Sequence, residues 1–374
     1  MLRFLTAGES HGPCLVAILE GMPAGVPIDP QALQREMRRR QLGYGRGPRM
    51  QLETDAIELL AGLRRGQTLG SPIALRITNK DASIDRLPVV TQPRPGHADL
   101  TGAIKYGHRD IRNVLERASA RETAARVAVG ALCKQLLSQV DIELASHVIA
   151  LGSVQAKPSA ATVARLRAKA DPTPLRCLDP AATKRMVRAI DAAMRRGDTL
   201  CGVFEVVAER VPPGLGSYVH NDRRLDAILG RAILSIHAVK ATEVGDGVAA
   251  AALPGSKVQD EIFYTKARGF YRAQNRSGGF EGGMTTGEPI IVRGFLKPLS
   301  TLRRPLRSVE INTKRALVAT VERSDVTTVP AAGVIGEAMV AFELARALLD
   351  KFGGDRVREL VRDVRAWRRY VHSF

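Results

Sequence analysis

The sequence predicts an α+β fold, built as one intimately packed domain over residues 1–374. Three observations carry that prediction. The runs CLVAILEG (14–21) and CGVFEVVAE (201–209) have the length and apolar content of buried strands. Asp29-Pro30 and Asp179-Pro180 each pair a capping carboxylate with a proline suited to a first helical turn. No low-complexity linker or shift in composition divides the chain, and 45% apolar residues are enough for a sizeable core.

Taken in order, the helix opened by Asp29 is expected to end near Gly43, and the one opened by Asp179 at Gly197. ELASHVIAL (143–151) and EPIIVRGFL (288–296) read as strands. After Cys201 a strand leads to P-P-G-L-G, and Asn221 or Asp222 would then cap RRLDAILGRAILSI. This order echoes the one after Cys14, and both internal duplication and chance similarity fit the echo. Residues 333–367 look helical, with a Gly-Gly break at 353–354. Segments 43–50, 79–99 and 266–288 show no regular pattern. They mix glycine with arginine, asparagine and histidine, as functional loops do.

The formal charge of +18 admits two explanations, nucleic acid or small acidic ligands. Aromatic residues make up only 4% of the chain, leaving few stacking platforms, and no basic block stands out. No apolar run reaches the ~20 residues of a membrane span, and the N-terminus lacks a signal-peptide core. Cys14, Cys133, Cys177 and Cys201 are scattered, which suits a reducing compartment. The expectation is a cytoplasmic protein that binds neither nucleic acid nor membrane.

GHRDIRNVLERASARET (107–123) places arginines 109, 112, 117 and 121 at the mouth of an apolar helix. The macrodipole disfavours cations there. Ser119 and Glu122 have capping-box spacing. Two readings fit: a capped surface helix with solvated arginines, or an anion site made of amides and guanidinium groups. His11, His97 and His108 all lie in loops beside glycine or serine, with arginine or an acid nearby. Taken singly, each is more often structural, as is His147 in its strand. Their functional use would be acid–base work near neutral pH. Their spacing matches no common metal set. The residues alone point to an arginine-rich, histidine-assisted site for a phosphorylated or polycarboxylate ligand.

The same blocks resemble a known family, the chorismate synthases. GESHGPCLVAILEGMP (8–23), ERASARETAARVAVGAL (116–132) and RSDVTTVPAAGVIGEAM (323–339) resemble its three signatures, in order. YGRGPRM, RPGHAD, GGFEGGMTTG and KPLST (297–301) match between them. The resemblance implies anti-1,4-elimination of phosphate from 5-enolpyruvylshikimate 3-phosphate to give chorismate, a shikimate-pathway step toward aromatic amino acids. It implies a requirement for reduced FMN without net redox change. It also implies a homotetramer, and a layered sandwich of helices between two antiparallel sheets with pseudo-twofold duplication.

Residue by residue, the resemblance makes His11 the acid for the departing phosphate and sets His108 beside the flavin. Ser10, Ser119 and Asp325 fall on its proton relay. FMN contacts would come from Arg117, Ala118, Ser119, His237, Ala238, Gly282, Lys297, Pro298, Leu299, Ser300, Thr301 and Arg323. Arg40 and Arg46 match positions that in the family serve a nicotinamide phosphate. With Arg49 and Arg121 they are also placed to hold substrate. His237 and Ala241 depart from the family's usual asparagine and glycine. The chain ends soon after the third signature, as in monofunctional members that depend on an external flavin reductase, with NADPH among the candidate reductants. The segment GYGRGPRM is expected to order over bound ligand.

Overall fold

A computed structural model describes residues 1–47, 53–159, 161–322 and 324–374. The principal strands are β1 (Arg3–Ala7), β2 (Cys14–Glu20), β3 (Ile57–Ala61), β4 (Ile73–Thr78), β5 (Glu143–Leu151), β6 (Val154–Gln155), β7 (Gly202–Glu209) and β8 (Val239–Val244). They continue with β9 (Ile262–Thr265), β10 (Gly269–Arg272), β11 (Phe280–Glu281), β12 (Met284–Thr285) and β13 (Ile290–Leu296). The principal helices are α1 (Pro30–Gln41), α2 (Asp99–Tyr106), α3 (Arg112–Leu115), α4 (Thr123–Ser138), α5 (Pro180–Arg196), α6 (Leu225–Leu234), α7 (Val329–Phe352) and α8 (Val357–Ser373).

Two antiparallel sheets organise the chain. One runs β1-β2-β4-β3 and the other β8-β13-β7-β5-β6. In the first, Leu15 pairs with Ile77, Ala17 with Leu75 and Leu19 with Ile73. All six are buried, so one face of the sheet is apolar by simple alternation. Helix α4 covers β2 and also touches β5. Helix α7 lies on α4, β5 and β7, and α1 on both α4 and α7. In the middle of β7, Phe204–Ala208 are buried on both faces, because Val163, Leu166 and Ala170 pack behind Val207. That double coverage explains the continuous apolar run in the sequence. Among the described residues, no helix is long and apolar enough to cross a membrane.

Local signals largely act as their chemistry dictates. Asp29 accepts from the amide of Gln31 at 2.8 Å, and Asp179 from those of Ala181 and Ala182 at 2.9 and 3.0 Å. Helix α5 stops at Gly197, while α1 ends at Gln41, two residues before the expected glycine. Three expectations need correction. Neither Asn221 nor Asp222 caps α6; Asn221–Arg223 form a 3₁₀ turn and the helix starts at Leu225 without a side-chain cap. Segment 266–288 is not irregular throughout: it carries β10, β11 and β12, with Gly282 and Gly283 at positive φ turning the second hairpin. Those glycines shape a turn. Ser119 accepts from the amide of Arg121 at 3.3 Å, but Glu122 bonds Thr6 and Arg126 and does not close a capping box.

One buried ionic cluster ties the helices together. Glu337 of α7, with no exposed surface, accepts from Arg39 of α1 at 2.8 Å, Lys134 of α4 at 2.5 Å and Arg176 at 3.0 Å. Burial alone would raise its carboxyl. The charges of Arg39, Lys134 and Arg176 overcome that and hold it well below the usual carboxylate range.

Candidate active site

The site begins at the turn after β1. Gly8 has φ +105°, and a Cβ there would lie 2.3 Å from the carbonyl oxygen of Cys14. Only glycine permits so tight a return. The turn brings Ser10 and His11 against the start of the 116–123 segment. The amide of Ser10 donates to the Glu116 carbonyl at 3.0 Å, and Ser119 Oγ donates to Ser10 Oγ at 3.2 Å. The backbone amide of His11 donates to Glu116 Oε2 at 2.8 Å, and its ring Nδ1 lies 2.9 Å from the same oxygen. Burial favours a neutral Glu116, but bonds from His11 and Arg112 hold its carboxyl below the ordinary value.

Asn79 connects this turn to a knot of arginines. Its amide nitrogen donates to the carbonyls of Glu9 and Gly12, and its oxygen accepts from Arg121 Nε at 3.0 Å. Arg121 also pairs with Asp55 and, at 3.4 Å, with Glu53. Arg40 reaches the other oxygen of Asp55 at 3.0 Å. Two buried guanidinium groups therefore share one carboxylate. Burial lowers the Arg40 guanidinium; Asp55 opposes this, Arg121 and Arg46 add to it, and the result is about 10. Arg46 pairs with Asp325 at 2.7 Å, and Asp325 also accepts from the Gly47 amide. Among the described residues, Arg46 Nε is buried without a hydrogen-bond partner. Arg49 and residues 48–52 lie outside the described residues.

A second group of expected residues stands nearby. Arg117, one residue before Ala118, donates to the carbonyls of Gly8 and Thr6 and to the Thr6 hydroxyl. Among the described residues it has no carboxylate partner. A cavity of about 540 Å³ opens there, with Thr6, Arg117, Glu122, Arg126, Ser235 and His237 on its walls. His237 Nδ1 is buried with no partner among the described residues. Burial lowers this imidazole to about 4; Glu122 opposes the shift, and Arg126, His97 and Arg117 reinforce it. The next residue, Ala238, takes φ +67°, an uncommon conformation outside glycine, and its carbonyl accepts from the amide of Lys297. Lys297 Nζ donates to the Gly96 carbonyl at 2.7 Å and to Ser300 Oγ at 3.0 Å. Pro298 and Leu299 follow, and Thr199 donates to the Leu299 carbonyl. Thr301 Oγ1 accepts from Arg94, whose guanidinium, with His97, clamps the buried Asp99.

Two further expected residues lie in other turns. His108 follows Gly107 at the end of α2, its ring 3.4 Å from Asn113 Nδ2 and 6.3 Å from the Tyr106 ring. Gly282 sits in the β11–β12 turn against Tyr218. Arg323 lies outside the described residues. Asp55, Glu53, Asn79 and Glu116 were not singled out as site residues from the sequence. Only Glu116 had a local signal, its i,i+4 spacing from Arg112. His147 is a core residue, its Nε2 2.9 Å from Glu205.

A turn-borne histidine beside clustered arginines suits chemistry on a phosphorylated acid, and comparison with known proteins identifies the family. The chorismate synthase family model matches residues 2–349. The chain belongs to the chorismate synthase family. The family's reaction is loss of phosphate from 5-enolpyruvylshikimate 3-phosphate, and its members are lyases. Chorismate synthase 2 of Bacillus cereus is 51% identical over the full length of both chains. Chorismate synthase of Symbiobacterium thermophilum is 53% identical, covering 98% of each. A crystal structure of a chorismate synthase superposes with a TM-score of 0.84 at 42% identity, covering 100% of this chain and 99% of the other.

Proposed function

We propose that this chain converts 5-enolpyruvylshikimate 3-phosphate to chorismate and phosphate, using the residues gathered between β1, β4 and the start of α4. The sharing of Asp55 by Arg40 and Arg121, one asparagine away from the His11 turn, carries the reading. Arg121 also has Glu53, whereas Arg40 pairs only with the shared Asp55 among the described residues, and a phosphate or carboxylate would give it a partner of its own. Arg46, with its partnerless Nε, and Arg49 complete the anion set; Arg40 and Arg46 are also candidates for a nicotinamide phosphate. His11 donates a proton as the carbon–oxygen bond to phosphate breaks. The C6 hydrogen departs on the opposite face and the electron pairs close a second ring double bond. Ser10, Ser119 and Asp325 relay protons, and His108 steadies charge beside the cofactor.

A bound reduced FMN would supply transient electron donation to this elimination with no net change in its redox state. Arg117, Ala118, Ser119, His237, Ala238, Gly282 and Lys297 through Thr301 would hold it, together with Arg323. The His237 nitrogen without a partner and Arg117 without a carboxylate, among the described residues, stand beside one cavity and support that fit. The protein acts in the cytoplasm as a homotetramer and draws reduced flavin from an external reductase. A single domain over 1–374 is supported by one apolar cluster that includes both sheets. A layered sandwich is supported by α4, which touches both sheets, and the family resemblance implies duplicated halves.

Anaerobic mixing of protein, reduced FMN and substrate should yield equimolar chorismate and phosphate with the flavin still reduced. Stoichiometric flavin oxidation would overturn the reading in favour of an oxidoreductase. His11→Ala and His108→Ala should each slow turnover by roughly 10²–10⁴-fold while keeping the fold.

A further inference from the structure

We infer that Glu116 is the positioning residue for His11: its carboxylate fixes which ring nitrogen carries the proton and which way the imidazole faces. The inference rests on the proposed role of His11 as the acid. Glu116 is buried, and one of its oxygens, Oε2, meets both the backbone amide and the ring Nδ1 of His11. Bonded twice to one residue, the carboxylate fixes the ring relative to its own backbone. Its other oxygen, Oε1, lies 3.0 Å from Nδ1 and takes Arg112 Nη1 at 3.1 Å.

Arg112 is itself pinned by the Pro88 carbonyl and by Glu322 at 3.2 Å. The carboxylate is therefore held from behind and cannot turn away. An anion on Nδ1 requires a proton there, so the acidic proton of the charged ring must leave through Nε2. Asp81 stands 3.9 Å from Nε2, beyond hydrogen-bond reach. Glu9, in the same turn, folds against Gly12. Glu116 thus acts on the reaction only through the ring it aims.

The test uses the full chain labelled with ¹⁵N-histidine, without ligand, the His11 signals being assigned by their loss in His11→Ala. In the native protein the neutral ring should carry its proton on Nδ1. In Glu116→Gln the population should move toward Nε2–H, and kcat should fall roughly 10–100-fold, the usual worth of an orienting partner, with KM for substrate within about twofold. Glu116→Asp, which keeps the charge, should restore the Nδ1–H form and part of kcat. An unchanged tautomer and unchanged kcat in Glu116→Gln would overturn the inference. Should Glu116→Gln fail to fold, Glu116→Asp decides: native kcat and an unmoved pH profile overturn it, and reduced kcat at constant KM supports it. If His11→Ala retains full activity, the role of His11 falls and this inference with it. If His11→Ala is inactive while Glu116→Gln behaves as native, only the inference falls.

Discussion

Arg39 and Arg40 are neighbours in α1 and opposites in electrostatics. Arg39 turns into the core, where it meets Glu36, Glu337 and Asp171, all within about hydrogen-bond distance. Burial opposes its charge, but these carboxylates raise its guanidinium well above the usual value. Arg40 turns toward the His11 side, pairs with one carboxylate among the described residues, Asp55, and shares it with Arg121. Its guanidinium is lowered to about 10. The same residue type, one position apart, is satisfied on one side of the helix and left short of an anion on the other. A structural charge is complete in the folded chain, whereas a binding charge is completed by its ligand.

The largest effect should come from breaking the complete side. Glu337→Gln leaves Arg39, Lys134 and Arg176 short of their common partner and should cost about 3–5 kcal/mol in urea unfolding. A loss below about 1 kcal/mol would erase the contrast. The pH dependence follows from the depressed carboxyl. Its stabilisation is fully present above the ordinary carboxyl value of 4.5 and is lost as pH falls through the lower folded value. The acid limb of the stability curve should therefore flatten in Glu337→Gln.

His237 tests the incomplete side with the opposite kind of group. Its folded value of about 4 lies below the ordinary imidazole value of 6.5, so the unfolded chain binds the extra proton between them. Stability from the neutral ring is present above pH 6.5 and lost as pH falls toward 4. The loss should be on the order of 1–3 kcal/mol and absent in His237→Asn. A variant with the same pH profile as the native chain would mean that the ring finds a partner when charged.

The smallest effect sharpens the comparison most. Arg40→Lys keeps the charge but loses the planar fork, so substrate affinity or turnover should fall by about tenfold, or ~1.4 kcal/mol. Arg39→Lys should leave substrate affinity unchanged and lower stability instead. Arg46→Lys and Arg49→Lys should resemble Arg40→Lys in steady-state kinetics. Equal ligand affinity in the Arg39 and Arg40 variants would remove the distinction between them.

Local chemistry alone determined much of this protein. Capping carboxylates with prolines behind them opened α1 and α5, and short apolar runs marked β2 and β7. Each signal acts within a few residues of itself. The sequence also placed histidine and arginine in the loops and, through family resemblance, named most of the candidate site. It missed the turn at Gly282 and Gly283, because a glycine needed for a hairpin and one needed for a ligand look alike. It could not select Asp55, Asn79 or Glu116, which lie 66, 42 and 105 residues from the partners they hold. Nor could it separate Arg39 from Arg40. Their difference depends on which carboxylates α7 and the segment around Asp55 bring to either side of α1, and that is decided only when distant parts of the chain pack together.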